Sequence, residues 1–381
     1  MDYASKSLQI HKKLKGKIGL LVKVPLRDKF DLSIAYTPGV AAVSSAVAKD
    51  PTKAYEFTIK ANSVAVVSDG SAVLGLGNIG PLGALPVMEG KSLLFKSLGN
   101  IDSFPIVLDV HETDEIVKVV RAIAPTYGGI NLEDIAAPKC FEVEAKLQDI
   151  GIPVFHDDQH GTAIVVAAAL INALKAVGKK IEEIRIVISG AGAAGNAVAK
   201  ILIKLGVGDL ILIDSNGAIY QGRGNLDPYK VELAAKTNHQ KKKGNLAEVI
   251  AGADVFIGVS APGVLKEEDV AKMAKRAIVF AMANPIPEIM PDLALKGGAE
   301  LVATGRSDFP NQINNVLVFP GVFRGALDSR AKRITEEMKL ATVYALAGLV
   351  KKPSRNNILP YALDKKVVPT IANAVAKAYK Q

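Results

Sequence analysis

Two pairs of adjacent carboxylates, Glu133-Asp134 and Asp157-Asp158, each stand just past a short apolar run, in INLEDIA (130–136) and IPVFHDDQHGT (152–162). Carboxylates gathered at one sheet edge repel one another unless a cation joins them, and oxygen ligands of this kind suit Mg²⁺ or Mn²⁺. The same acids at strand ends also serve as helix caps, so spacing alone leaves both uses open. Lys91 leads into the apolar helical face of SLLFKSLG and is either a solvated charge or one drawn into a site. Tyr36, in YTPGVAAV, sits on the turn made by Pro38 and Gly39 at the start of an alanine-rich helix, a place that suits a working side chain and a packing one alike.

A third set of residues has a more specific chemistry. Ile186 to Ile188 form an apolar run that ends on Gly190, Gly192 and Gly195, a complete G-x-G-x-x-G with Ala193 and Ala194 inside it. A helical repeat (Val198, Ile201, Leu202, Leu205) follows, then a second apolar run ending on Asp214, about 20 positions after the last glycine. Strand, glycine turn, helix, strand and terminal acid together make a dinucleotide site: backbone N–H groups approach the pyrophosphate and the acid accepts from the ribose hydroxyls. A second G-x-G-x-x-G at Gly75, Gly77 and Gly80 is followed at once by Pro81 and lacks the downstream strand and acid, so it reads as a glycine-rich turn against a pocket.

The elements that must hold these groups alternate. Strand patterns at Phe104–Val110, Ile130–Ala136, Asp254–Val259, Ala277–Ala281, Leu301–Thr304 and Val316–Phe319 are interleaved with helical ones at 112–124, from Ala163 to Val177, at Leu246–Ile250 and from Glu267. This predicts an α/β fold: a C-terminal Rossmann-type, doubly wound parallel sheet and an N-terminal α/β catalytic domain, with ligands at the carboxyl ends of the strands. The apolar Ala163–Val177 helix looks like the junction between a first domain over 1–160, which carries both acid pairs, and a nucleotide domain with closing helices over 161–381.

A chain of 381 residues with 49% hydrophobic content can build two cores. The net charge of +9 is scattered, aromatic residues make up 5% with no Trp, and no nucleic-acid motif accompanies the lysines, which argues against a nucleic-acid partner. The start of the chain lacks a signal-like apolar core, and no later apolar run approaches the roughly 20 residues of a membrane span. The single cysteine, Cys140, reads as a small buried hydrophobe and fits a reducing cytoplasm.

Taken together, YTPGV (36–40), GLGNIGPLG (75–83), MEGKSLLFK (88–96), INLEDIA, FHDDQHGTA (155–163), SGAGAAG (189–195), MANP (282–285) and NNVLVFPG (314–321) resemble the malic enzymes, in the family's order and across nearly the whole chain. The match is to the short bacterial and archaeal form. The resemblance implies metal-dependent oxidative decarboxylation of malate to pyruvate and CO₂, with reduction of NAD or, less readily, NADP. It makes Lys91 the general base and Tyr36 the general acid, with Asp157 beside them. Glu133, Asp134 and Asp158 match the ligands of Mg²⁺ or Mn²⁺, Asn284 the nicotinamide ribose or substrate, and Asn315 the substrate. One departure stands out: Ala72 occupies the place of an arginine in the larger enzymes, so the substrate's C1 carboxylate lacks that partner.

The implied chemistry makes physical sense. A neutral lysine removes the proton of the C2 hydroxyl, a cation stabilises the developing oxyanions, and the tyrosine protonates the enolate at C3. Tyr36 lies in a short N-terminal segment that must reach a cleft built by other parts of the chain, which points to a homodimer. Two other readings give different outcomes: decarboxylation of oxaloacetate or malolactic conversion without net cofactor turnover, and a nucleotide-sensing module that binds without turnover.

Overall fold

The computed structural model describes residues 3–380. Two sheets organise it. The first contains β1 (Ser63–Ser68), β2 (Asp102–Val107), β3 (Gly129–Leu132) and β4 (Val154–His156), all parallel, in the order β2-β1-β3-β4. Every residue of β1, SVAVVS, is buried, as expected of a strand covered on both faces. The helix Gly80–Gly99 crosses from β1 to β2 and starts with Pro81 in its first turn, where a missing N–H costs nothing. Lys91 therefore lies well inside this helix rather than ahead of one.

The second sheet contains β5 (Arg185–Ser189), β6 (Asp209–Asp214), β7 (Gly217–Ala218), β8 (Val255–Gly258), β9 (Ala277–Ala281) and β10 (Ala299–Thr304), in the order β10-β9-β8-β5-β6-β7. All pairings are parallel except that of β7, which turns back antiparallel on the end of β6. Because β5 lies between β6 and β8, connections leave it in opposite directions and open a crevice at its carboxyl end.

The helix Asp157–Val177 joins the halves, and residue 160 lies inside it. Its Ala163–Val177 stretch packs in one continuous core with Val64 and Val66 of β1 and with Ile186 and Ile188 of β5. At 21 residues it is long and apolar enough to span a membrane, which revises the expectation that no run approaches that length; 72% of its most apolar window is buried within the molecule, so it is a core helix.

Val316–Phe319 is not a strand. Asn314 accepts from the Val316 N–H at 2.9 Å and opens a short 3₁₀ turn, Asn315–Leu317, after which Phe319–Asp328 is helical. A short apolar run buried on all sides has no periodicity to separate strand from helix, and here the helix has it. The first described residues form a helix, Tyr3–Leu14, yet no residue of it, or of the helices Lys29–Ala35 and Val40–Lys49, is buried.

Candidate active site

The helix Gly80–Gly99 carries Lys91 inward, where 8% of the residue is exposed. Its Nζ donates to Asp157 Oδ2 and lies 3.0 Å from Glu133 Oε1. Below it the Phe319 ring stands 4.4 Å from the ammonium, a cation–π contact. The two carboxylates arrive from different strands. Glu133 and Asp134 follow β3, whereas Asp157 and Asp158 are the first residues of the helix after β4, not an edge loop. Adjacent parallel strands thus bring both pairs to one sheet end.

Glu133, Asp134 and Asp158 each offer an oxygen within 4.8 Å of the others, a spacing that one cation can bridge. Asp134 adopts φ 53°, and its N–H donates to Asp158 Oδ2 at 2.7 Å. Asn131 donates to Glu133 Oε2 at 2.8 Å, and Asp157 Oδ1 has no hydrogen-bond partner among the described residues. Burial raises the Glu133 carboxyl well above the usual range despite the opposing pull of Lys91. Burial also pulls Lys91 down, but Asp157, Glu133 and Asp158 outweigh it and hold the ammonium above its ordinary value. Four buried or half-buried carboxylates against one ammonium leave a concentrated negative charge, and the all-oxygen donor set fits a hard dication such as Mg²⁺ or Mn²⁺.

A cavity of about 580 Å³ opens at the carboxyl ends of β5 and β6, lined by Gly190, Gly192, Asp214 and Ser260, with Pro138 and Phe141 of the first half forming its other wall. Gly192 caps the helix Ala193–Lys204, so the helix start, with Ala193, Ala194 and Gly195 in its first turn, faces this space with free N–H groups. Asp214 ends β6 at the same rim.

The remaining expected residues fall around this frame. Asn284 is exposed on the turn after β9, and a β-carbon on Gly75 would come within 2.2 Å of its carbonyl oxygen. The second glycine motif is therefore a turn packed against the nucleotide half. Asn315 lies beside the acids, since a β-carbon on Gly161 would meet both Asp157 Oδ1 and Asn315 Cβ. Ala72 uses only its backbone here, its N–H donating to the Asp134 carbonyl at 2.9 Å. Tyr36 stands apart: it is 67% exposed, and its hydroxyl makes no hydrogen bond among the described residues. Cys140 is fully buried in the core, and burial with the nearby Asp158 and Glu144 charges pushes its thiol up to about 12, which makes it inert.

Two family models cover this architecture in sequence: the malic enzyme N-terminal domain over residues 15–148 and the malic enzyme NAD-binding domain over 159–380. The chain belongs to the malic enzyme family. Among its relatives are a NAD-dependent malic enzyme of Geobacillus stearothermophilus, 58% identical over 95% of this chain and 76% of that one, and a bifunctional malic/malolactic enzyme of Bacillus subtilis, 55% identical over 99% and 93%. The crystal structure of a NAD-dependent malic enzyme from Thermotoga maritima matches with a TM-score of 0.94 at 50% identity, covering 97% of this chain and 98% of that one.

Against the family motifs, two contributors around the acids and one in the nucleotide half escape a reading by residue type. Phe319 under Lys91 and Asn131 on Glu133 both lie within motif stretches, NNVLVFPG and the strand before LED, where apolar burial and strand register were the visible signals. Glu288, fully buried, accepts from the Ser260 and Ala283 N–H groups at 2.9 and 3.0 Å and so ties the loop after β8 to the MANP turn. A lone glutamate after a proline gives no sign of that in sequence.

Proposed function

We propose that this chain catalyses the oxidative decarboxylation of (S)-malate to pyruvate and CO₂ with reduction of NAD or NADP, at the cleft between the acidic cluster and the glycine-lined cavity. The observation that carries this reading is Lys91, buried and held between Asp157 and Glu133 at the edge of a three-carboxylate cluster. Glu133, Asp134 and Asp158 hold the divalent cation, and the cavity over Gly190 to Gly195 holds the dinucleotide, with Asp214 at its ribose end. The two halves meet at the start of the helix Asp157–Val177.

A divalent cation on these acids would supply Lewis-acid polarisation of the substrate's oxygens and cancel the negative field that keeps Lys91 protonated. Lys91 Nζ takes the proton of the C2 hydroxyl as C2 gives its hydride to the nicotinamide, and Asp157, in contact with Nζ, orients the amine and pairs with the ammonium that forms. After CO₂ leaves, Tyr36 delivers a proton to C3. Asn315 and Asn284 hold the substrate and the nicotinamide end, and closure of the cleft excludes water.

Tyr36 belongs to an N-terminal segment whose apolar side chains face outward, Leu20 at 89%, Leu21 at 82% and Val22 at 77% exposure. Apolar area of this extent fits a homodimer in which the segment covers a second copy and Tyr36 completes its site. The buried, lone Cys140 fits the cytoplasm.

The test is cofactor reduction with malate and Mn²⁺, followed by near-ultraviolet absorbance. Activity is expected to vanish in EDTA and in Asp158→Ala; activity that survives EDTA would refute the metal assignment. The name of the Bacillus subtilis relative favours a second activity at the same site, malolactic conversion. It is read as lactate formed from malate without net cofactor reduction, and its absence across divalent metals would remove that reading.

A further inference from the structure

The helix that begins with Asp157 and Asp158 needs something to hold its first turn, because the leading N–H groups of a helix have no partners within it. His156, the residue before it, makes no side-chain cap. The partner comes instead from Glu144, on the helix Lys139–Lys146. Its Oε1 accepts from the His156 N–H at 3.2 Å, and its Oε2 accepts from Gln159 Nε2 at 3.4 Å and His160 Nε2 at 2.9 Å. The Glu144 side chain is 12% exposed and Gln159 4%.

These contacts continue into the other half of the molecule. Lys339, on the helix Glu336–Gly348, approaches His160 Nδ1 at 3.1 Å and pairs with Glu336 at 2.9 Å. Lys339 also lies 3.3 Å from His160 Nε2, so the ring sits between the ammonium and the Glu144 carboxylate. The first turn is thus held at two sets of contacts, by Glu144 through the His156 N–H, Gln159 and His160, and by the Asp134 N–H and Lys91 through Asp158 and Asp157.

We infer that Glu144 is a positioning residue for the reaction, setting the first turn of this helix so that Asp158 meets Glu133 and Asp134 while Asp157 meets Lys91. The inference rests on the cation-ligand assignment made above. Glu144 touches none of those carboxylates and acts through the backbone of residue 156 and the side chains of Gln159 and His160. Groups hydrogen-bonded directly to a metal's ligands typically change affinity or activity about 10- to 100-fold when lost, and Glu144, one contact further out, is expected at the lower end of that range.

The experiment uses the full-length chain with Glu144→Ala and Glu144→Gln, measuring the Mn²⁺ Kd by calorimetry, the NADH Kd by fluorescence, and kcat and KM for malate. Glu144→Ala is expected to weaken Mn²⁺ by about 10-fold or more while leaving NADH within about twofold, and Glu144→Gln, which keeps one acceptor oxygen, to fall between it and the wild type. Excess Mn²⁺ restores part of kcat in both. If Glu144→Ala does not fold, Glu144→Gln and Lys339→Met, which releases His160, carry the test with smaller shifts in the same direction. A Mn²⁺ Kd unchanged in folded Glu144 variants while Asp158→Ala abolishes Mn²⁺ binding overturns this inference alone. Parallel losses of NADH and Mn²⁺ affinity also overturn it, as general loosening. Mn²⁺ binding that survives Asp158→Ala removes the ligand assignment, and the inference with it.

Discussion

Arg223 grips Asp214: its Nη2 lies 2.8 Å from Oδ1 and 2.6 Å from Oδ2, while its Nη1 donates to the carbonyls of Gly217 and Ala218. Lys230 approaches the same carboxylate at 3.4 Å, and the Asn216 N–H donates to Oδ1 at 2.9 Å. No basic residue follows Asp214 immediately, which disfavours the 2′-phosphate of NADP, but Arg223 and Lys230 stand further along the next loop and make that exclusion incomplete. In the structure the antiparallel β7 folds this loop back, and both cations lie on the acid.

For cofactor choice this yields a preference for NAD with real NADP use. Asp214 stands at the ribose end with both oxygens engaged by Arg223, so its charge is largely offset. Asp214→Ala leaves Arg223 and Lys230 facing the ribose and is expected to shift the NADP-to-NAD ratio of kcat/KM toward NADP by about tenfold, or about 1.4 kcal/mol. Lys230→Met shifts the ratio the other way by a smaller factor. A ratio that Asp214→Ala does not move would show that the acid takes no part in discrimination.

Lys91→Ala is expected to lose malate oxidation by at least about 100-fold, the ordinary scale of a lost acid–base group, with NADH binding retained. The same change strands Asp157 and Glu133 as buried, unpaired acids, and removing one partner of such a pair typically costs about 3–5 kcal/mol. Melting temperature should therefore fall without Mn²⁺ and recover in its presence, since a dication replaces the missing charge. Near-normal turnover in this variant would take Lys91 out of the mechanism.

How much of this was legible in sequence depended on how local the signal was. The dinucleotide unit was readable because strand, glycines, helix and Asp214 lie within one short stretch whose periodicities differ. The acid pairs were readable as pairs, but their meeting depends on β3 and β4 being neighbours, which no spacing states. Arg223 on Asp214 and Glu144 under the helix start are tertiary contacts between loops and helices without a repeat. Val316–Phe319 misled because an apolar run buried on all sides looks alike in strand and helix.

Acid sensitivity follows from the Glu144 network. Burial alone would raise the Glu144 carboxyl, but the His160 interaction and Lys339 outweigh it and lower it from 4.5 to about 2. A carboxyl depressed on folding stabilises the native state above its unfolded value and loses that contribution as pH falls through its folded value. Thermal stability attributable to Glu144 should thus be complete above about pH 4.5 and decline toward about pH 2, with Glu336, lowered in the same way, adding the same sign. In melts from neutral pH downward, the gap between wild type and Glu144→Gln should narrow below about pH 4.5. A gap that stays constant over that range would mean the carboxylate is not held by these partners.

Tyr36 gives the most discriminating test, because its exposure contrasts with the burial of Lys91 and Asp157. It is 67% exposed, on a segment where Phe30 and Leu26 also face outward at 71% and 67%, while Lys91 is buried. If Tyr36 completes the site of a second copy, Tyr36→Phe and Lys91→Ala are each nearly inactive alone but complement when mixed and allowed to exchange subunits. Each mixed dimer then holds one site with both native residues and one with neither, so random exchange restores about a quarter of wild-type sites. Sedimentation should show a dimer at assay concentration, and Leu21→Asp should shift it toward monomer with loss of activity. A mixture that stays inactive after verified exchange, or a fully active monomer, would place Tyr36 in its own chain's site or outside the reaction.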